Sequence, residues 1–370
     1  MSDQFLPIEP DNEWADQFFP PKLLKGKPYS LETAVDVELK LDQNESPWDW
    51  PDSVKTKILD HVKNLSWNRY PTPFSENLTA AISEHIGVSP QHILTGPGSN
   101  HLIAMVLNVL GPQASKVVIA RPSFALFEMH CAYAGIDYEV WPLTESFQYD
   151  ESLLPELTPG SLVIFASPNN PTGNSLSLDR FEKLLDRHPK TMFFADEAYF
   201  EFSEQPYTEL LQRYSNLIII RTLSKTLGAA GVRLGYILSS KKMVSELGKQ
   251  RLPYLLNHFS VCAGEAVLKD QEMQDFVARN IQNAKSERER VFSELKSIEA
   301  RLGFETFASE ANFLMLKFNS KAEAKECWKR LVEEGVLVRD IGSGPSLAGC
   351  LRMSIGKKED NDKFLAVMGR

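Results

Sequence analysis

Leu217-Ile218-Ile219-Ile220-Arg221-Thr222-Leu223-Ser224-Lys225-Thr226 is the stretch from which the fold can be read. Its four leading apolar residues are a short continuous run, the pattern of a strand buried within a sheet. Most lysines are solvated surface residues. A lysine just past such a strand can instead be held desolvated, which favours its neutral, nucleophilic amine. Two more polar signals close apolar runs upstream: Asn169-Asn170-Pro171-Thr172-Gly173, and Asp196-Glu197-Ala198-Tyr199 after Met192–Ala195. Downstream lies Gly231-Val232-Arg233-Leu234-Gly235.

Working outward, strand-like runs occur at Lys116–Ala120, Tyr138–Trp141, Leu162–Ala166, Met192–Ala195, Leu217–Ile220 and Arg233–Leu238, with helical segments between most of them. Ser75–Ile86 has helical spacing, and so do the residues after Gly98-Ser99, where Leu102, Val106 and Val109 share a face. Such alternation predicts an α/β fold, a mostly parallel sheet with helices on both faces. Beyond Pro253 the pattern changes to a helical region over about Cys262–Ser297, then a strand (Asn312–Phe318), a helix (Ala322–Glu333) and strands at Val336–Arg339 and Cys350–Ile355. This predicts a smaller α/β domain. The charge run Lys285–Arg290 reads as a solvated helix face. Residues 1–45, rich in Pro, Asp and Glu, read as an extended arm, which gives an expected division into 1–45, 46–255 and 256–370.

Composition narrows the function class. The 370 residues are 43% hydrophobic and 24% charged, as in ordinary globular proteins. A net charge of −9 speaks against a nucleic-acid partner. No apolar run approaches the roughly 20 residues of a membrane helix. The N-terminus lacks the basic start and apolar core of a signal peptide. Four scattered cysteines and seven histidines form no metal-type pairs, so we expect no metal site, no disulfide framework and a reduced, cytoplasmic protein.

In open parallel sheets, ligands bind at the carboxyl ends of strands, and each segment singled out falls at such an end. Gly96-Pro97-Gly98-Ser99-Asn100 opens a helix; its glycines admit close backbone approach, and the helix N-terminus attracts an anion. Taken alone it would be a plain tight turn with a serine cap. Asp196 alone would be a strand-end acid or a helix cap, Phe124 a core aromatic and Arg352 a surface arginine. Their joint occurrence in one order and spacing is what carries meaning.

Together these segments resemble the site of pyridoxal-phosphate enzymes of the aspartate aminotransferase superfamily, over nearly the whole chain. The resemblance implies fold type I, with a mostly parallel seven-stranded sheet in the large domain, and implies pyridoxal 5'-phosphate as cofactor. It implies that Lys225 carries the cofactor and moves a proton, that Asp196 pairs with the ring nitrogen, and that Asn170 and Tyr199 hydrogen-bond the ring's phenolic oxygen. Phe124 would stack on the ring. Gly98, Ser99, Asn100, Thr222, Ser224 and Arg233 would hold the cofactor phosphate, Arg233 through a bidentate fork. Tyr70 would reach the phosphate of a neighbouring subunit, making a homodimer with shared sites. Arg352 would grip a substrate carboxylate.

Three segments resemble the histidinol-phosphate aminotransferase subfamily. These are Leu41-Asp42-Gln43-Asn44-Glu45-Ser46-Pro47, Arg69-Tyr70-Pro71-Thr72-Pro73 and Val336-Leu337-Val338-Arg339-Asp340. They imply Asn44, Arg339 and Arg352 as substrate ligands, Arg339 for a substrate phosphate. The substrates implied are an amino donor and a 2-oxo acid acceptor. Ser99-Asn100-His101 departs from the subfamily's Ser-Asp-Glu. That leaves aromatic amino acid transamination and threonine-phosphate decarboxylation as alternatives. A catalytically silent cofactor-binding regulator is disfavoured by the intact Asp196, Lys225 and Arg233.

Overall fold

The computed structural model describes residues 13–26, 37–203, 205–344 and 346–369. Among these, the strands form two sheets. β1 (Leu39–Leu41) belongs to the smaller one. β2 (Ile93–Gly96), β3 (Val117–Arg121), β4 (Glu139–Pro142), β5 (Leu162–Ala166), β6 (Met192–Asp196), β7 (Leu217–Thr222) and β8 (Gly235–Ser239) build the larger. β9 (Phe304–Phe307), β10 (Phe313–Phe318), β11 (Val336–Asp340) and β12 (Cys350–Ser354) complete the smaller.

The seven-stranded sheet runs in the order β2-β8-β7-β6-β5-β3-β4. Its pairings are parallel except those of β8, which is antiparallel to both β2 and β7. Alternation along β5, β6 and β7 explains their continuous apolar sequences. Val163, Phe165, Phe193, Leu217 and Ile219 pack into one apolar core, while Leu162, Ile164, Phe194, Ile218 and Ile220 pack into another on the opposite face. The carboxyl ends of β2, β3, β5, β6 and β7 therefore open at one edge, with Gly98, Phe124, Asn170, Asp196 and Lys225 just at or beyond them.

The five-stranded sheet has the order β1-β11-β12-β10-β9. β1 is a parallel edge strand on β11, with Leu41 beside Val338. It falls within the stretch expected to be an arm; residues 1–12 and 27–36 of that stretch lie outside the described residues.

Two readings of the helical region are corrected. It is two helices, His258–Lys269 and Gln271–Leu302. Asp270 is extended (ψ 123°) and its side chain accepts from the Met273 N–H, so it caps the second helix and interrupts the first. The charge run is also not simply solvated. Arg288 donates to the Ala311 carbonyl at 3.0 Å, and Arg290 links Glu287 to Asp362 on the final helix, Lys358–Met368. Helix His258–Lys269 packs on helices Asp52–Lys63 and Glu76–Ile86 of the larger lobe.

Candidate active site

A cleft of about 400 Å³ lies between the two sheets at the carboxyl edge of the larger one. Asp196 and Thr222 enter it from the last positions of β6 and β7, and Asn170, Tyr199, Ser224 and Lys225 from the loops after β5, β6 and β7. Ser99, Asn100, Phe124 and Arg233 line it from the same lobe; Asn44, Arg339 and Arg352 line it from the N-terminal segment and the smaller sheet.

Lys225 donates to the Gln43 carbonyl at 2.8 Å, and its nitrogen sits 5.9 Å from the Tyr199 ring centre. Burial, then the charges of Arg352 and Arg233, bring its pKa down to about 8 against the opposing pull of Glu45 and Asp196. A lysine in this state holds a sizeable neutral fraction near physiological pH.

Asp196 is buried at the end of β6 and accepts the Ala198 N–H at 2.9 Å. Burial pushes its carboxyl up to about 7, with Glu197 adding to the rise while Ala198 and Lys225 oppose it. Behind it, Glu197 and Arg221 form a fully buried pair at 2.7 Å, and Arg221 also lies over the Phe200 ring at 3.6 Å. Glu197 is thus already neutralised, and Asp196 is left facing the cleft for a cationic partner.

One end of the cleft forms a cradle. The helix Ser99–Leu110 starts at Gly98 (φ 85°) with no side-chain cap, so its first N–H groups stay available. A side chain at Gly98 would meet the Arg233 guanidinium at 2.7 Å, and one at Gly235 would meet the Ser99 nitrogen at 2.6 Å. Arg233 itself adopts φ 60°, a costly conformation for arginine that aims its guanidinium at this spot. Thr222 and Ser224 hydroxyls lie 3.0 Å apart beside it. His130 Nε2 lies 2.8 Å from Asn100 Oδ1, which leaves the Asn100 amide nitrogen for the cleft.

At the opposite side, Asn44 (φ 53°) donates to the Tyr199 hydroxyl at 2.9 Å and is held by Ser354. Arg352 donates to Asn170 Oδ1 at 2.6 Å and to the Asp42 carbonyl at 2.7 Å, joining the smaller sheet to the larger lobe. Arg339 and Arg352 face each other across β11 and β12.

Two expected residues are placed differently. Gly98 underlies the cradle beside Arg233 without being counted in the cleft wall. Tyr70 lies outside the cleft, 80% exposed and stacked on Tyr254 at 4.5 Å. Asp42 and Gln43, and Ser123, whose hydroxyl donates to Asn169 at 2.6 Å, also line the cleft, and none of them carries a sequence signal of its own. The turn Ile341–Gly344 borders the cleft as well, and its glycines Gly342 and Gly344 are a readable loop signal.

These residues fit pyridoxal phosphate. A buried carboxyl facing the cleft, a lysine whose pKa burial brings down to about 8 and a glycine-lined anion cradle all face one space. Among the described residues no helix is long and apolar enough to cross a membrane, and no cluster of metal-type ligands occurs.

The aminotransferase class I and II family model matches residues 36–368. The curated histidinol-phosphate aminotransferase of Chlorobaculum tepidum is 32% identical over 352 residues, covering 94% of this chain and 98% of its own. The solved histidinol-phosphate aminotransferase of Sinorhizobium meliloti, in complex with pyridoxal-5'-phosphate, superposes with TM-score 0.80 at 26% identity, covering 94% and 95% of the two chains. An L-threonine-O-3-phosphate decarboxylase of Porphyromonas gingivalis shares the fold at TM-score 0.75 and 20% identity, covering 90% of this chain and 98% of its own.

Proposed function

The chain belongs to the class I and II aminotransferases and is a pyridoxal-phosphate-dependent enzyme; from this premise we propose that it moves the amino group of L-histidinol phosphate to 2-oxoglutarate in histidine biosynthesis. The products are imidazole-acetol phosphate and glutamate. The observation that carries the reading is the pair of guanidiniums, Arg339 and Arg352, opposed in one cleft. One substrate brings a phosphate and no carboxylate; the other brings two carboxylates. A site that takes them in turn needs two fixed cations, and arginine forks suit both anions. Relatives bearing the histidinol-phosphate aminotransferase name support the same donor.

Pyridoxal phosphate supplies an aldehyde that condenses with amines and a protonated ring that accepts electrons when a Cα–H bond breaks. In our reading Lys225 is the residue that would hold it covalently, and the same amine, when free, would take the substrate Cα proton. Asp196 would keep the proton on the ring nitrogen. Asn170 and Tyr199 bond the phenolic oxygen, with Asn44 fixing Tyr199. Phe124 supplies a flat apolar face. The Gly98–Asn100 turn, Thr222, Ser224 and Arg233 take the phosphate.

The proposal extends to a cytoplasmic homodimer with shared sites and to the division 1–45, 46–255 and 256–370. Segment 69–74 docks on segment 251–258: Arg251 donates to the Phe74 carbonyl at 2.8 Å and Tyr254 N to the Pro73 carbonyl at 3.1 Å. Tyr70 and Leu252 (64% exposed) on these segments, and Trp67 (74%) just before them, are large apolar or aromatic side chains left exposed. A second copy covering these side chains would bring its Tyr70 to this chain's cradle.

Single-turnover kinetics test the division of labour. Arg339→Gln should act chiefly on histidinol phosphate, and Arg352→Gln on glutamate. Each should cost about ten- to a hundredfold in kcat/KM, the size of a lost charge-assisted contact of ~1.5–3 kcal/mol. Equal losses on both amines would show that the arginines do not divide the work.

A further inference from the structure

Arg339 and Arg352 face each other across β11 and β12, and Asp42 directly follows the last residue of β1, Leu41, which pairs with Val338. Leu41, Val338 and Leu351 all belong to the apolar core of that lobe. The pleat therefore sends Arg339 and Arg352 to the other face, which borders the cleft, and Asp42, in the bend after β1, lines the same cleft. β1 lies beside β11, and β12 lies on its other flank with Arg352 opposite Arg339. Like charges directly opposed across strands repel, so the two arginines suit an anion site.

Asp42 is the unexplained member. It is 2% exposed, and neither carboxylate oxygen accepts a hydrogen bond from another residue. Arg352 is held by the Asp42 backbone carbonyl, not by its side chain. The carboxyl therefore orients neither guanidinium by contact. Burial raises its pKa, while its own backbone and then the charges of Arg339, Arg352 and Lys40 act in the opposite direction. A buried carboxyl without partners is unfavourable and needs an explanation.

We propose that Asp42 is the counter-charge of the anion site, a specificity-determining residue that weakens the grip of Arg339 and Arg352 on anions lying between them. This rests on the reading of those arginines as substrate-anion ligands. The reaction binds two different anionic molecules alternately, and an anion held too tightly blocks the other half-reaction. Ground-state affinity beyond what the reaction needs adds nothing to turnover. A fixed negative charge beside the arginines limits that affinity without occupying their donors.

The test is titration of the holoenzyme, whose cofactor phosphate site is filled, with inorganic phosphate by calorimetry. Asp42→Asn should bind phosphate roughly thirty- to a hundredfold more tightly than the parent, the effect of removing one unit charge about 6–8 Å away at an effective dielectric near 20. KM for the phosphorylated amine should fall with it, and kcat should not rise. Asp42→Ser, uncharged and smaller, should show the same gain; a loss of structure cannot imitate tighter binding. Arg339→Gln serves as the reference. If it weakens phosphate binding while both Asp42 variants leave that binding unchanged or weaker, the counter-charge role is overturned. If Arg339→Gln leaves phosphate binding intact, the substrate-anion reading falls, and this inference falls with it.

Discussion

Lys225→Ala should abolish turnover and leave no cofactor fixed to the denatured chain after borohydride treatment, whereas the parent retains it. The activity loss should be at least on the order of 10²–10⁴-fold, the contribution of one positioned acid–base group, before the covalent role is added. The physical basis is the site Lys225 occupies. Burial and two nearby guanidiniums bring its amine down to about 8, so it can act both as nucleophile and as base. Cofactor still fixed to the Lys225→Ala chain would show that another lysine does this work. The same variant probes the shared site. Mixed with Tyr70→Ala chains under conditions that exchange subunits, it should recover activity, because a heterodimer contains one site with both Lys225 and the partner's Tyr70 intact. An absence of recovery in proven heterodimers would count against the Tyr70 assignment.

Asp196→Ala should fold and bind cofactor yet lose roughly 10²- to 5×10³-fold in kcat, read by steady-state assay alongside circular dichroism. Removing one member of a buried charge pair costs on the order of 3–5 kcal/mol. Here the cost would fall on the reaction, because in the proposed site the pair's other member would be the ring nitrogen, whose proton makes the cofactor an electron sink. Glu197 cannot substitute. Its carboxylate is already engaged by Arg221 and by the Tyr207 N–H at 2.6 Å. Near-normal kcat in Asp196→Ala would remove Asp196 from this role.

The large sheet was legible because its central strands are buried on both faces, so Leu162–Ala166, Met192–Ala195 and Leu217–Ile220 read as unbroken apolar runs. Polar residues immediately after such runs have few places to go but the sheet's carboxyl edge. The placement of Asp196 and Lys225 at the cleft is therefore legible in the sequence. β1 was not readable: three residues become a strand only by pairing with β11, almost 300 positions away. β9, a four-residue edge strand with alternating burial, carries a similarly weak local signal. The break at Asp270 was hidden because an N-cap acid between two helices looks like one more polar helix residue. The charge run misled because its partners, Ala311 and Asp362, are remote in sequence. Asp42 shows the deepest limit. Its residue type is ordinary for a loop, and only the register of β1, β11 and β12 reveals that it is buried beside two arginines.

The central claim is tested most directly by incubating the purified holoenzyme with single amines and identifying what forms. With L-histidinol phosphate and 2-oxoglutarate, the account predicts imidazole-acetol phosphate and glutamate in equal amounts. Under the same conditions kcat/KM should exceed that for aromatic amino acids, which offer Arg339 no phosphate. Carbon dioxide released from threonine phosphate, with no keto product from histidinol phosphate, would contradict it and assign the cleft to decarboxylation.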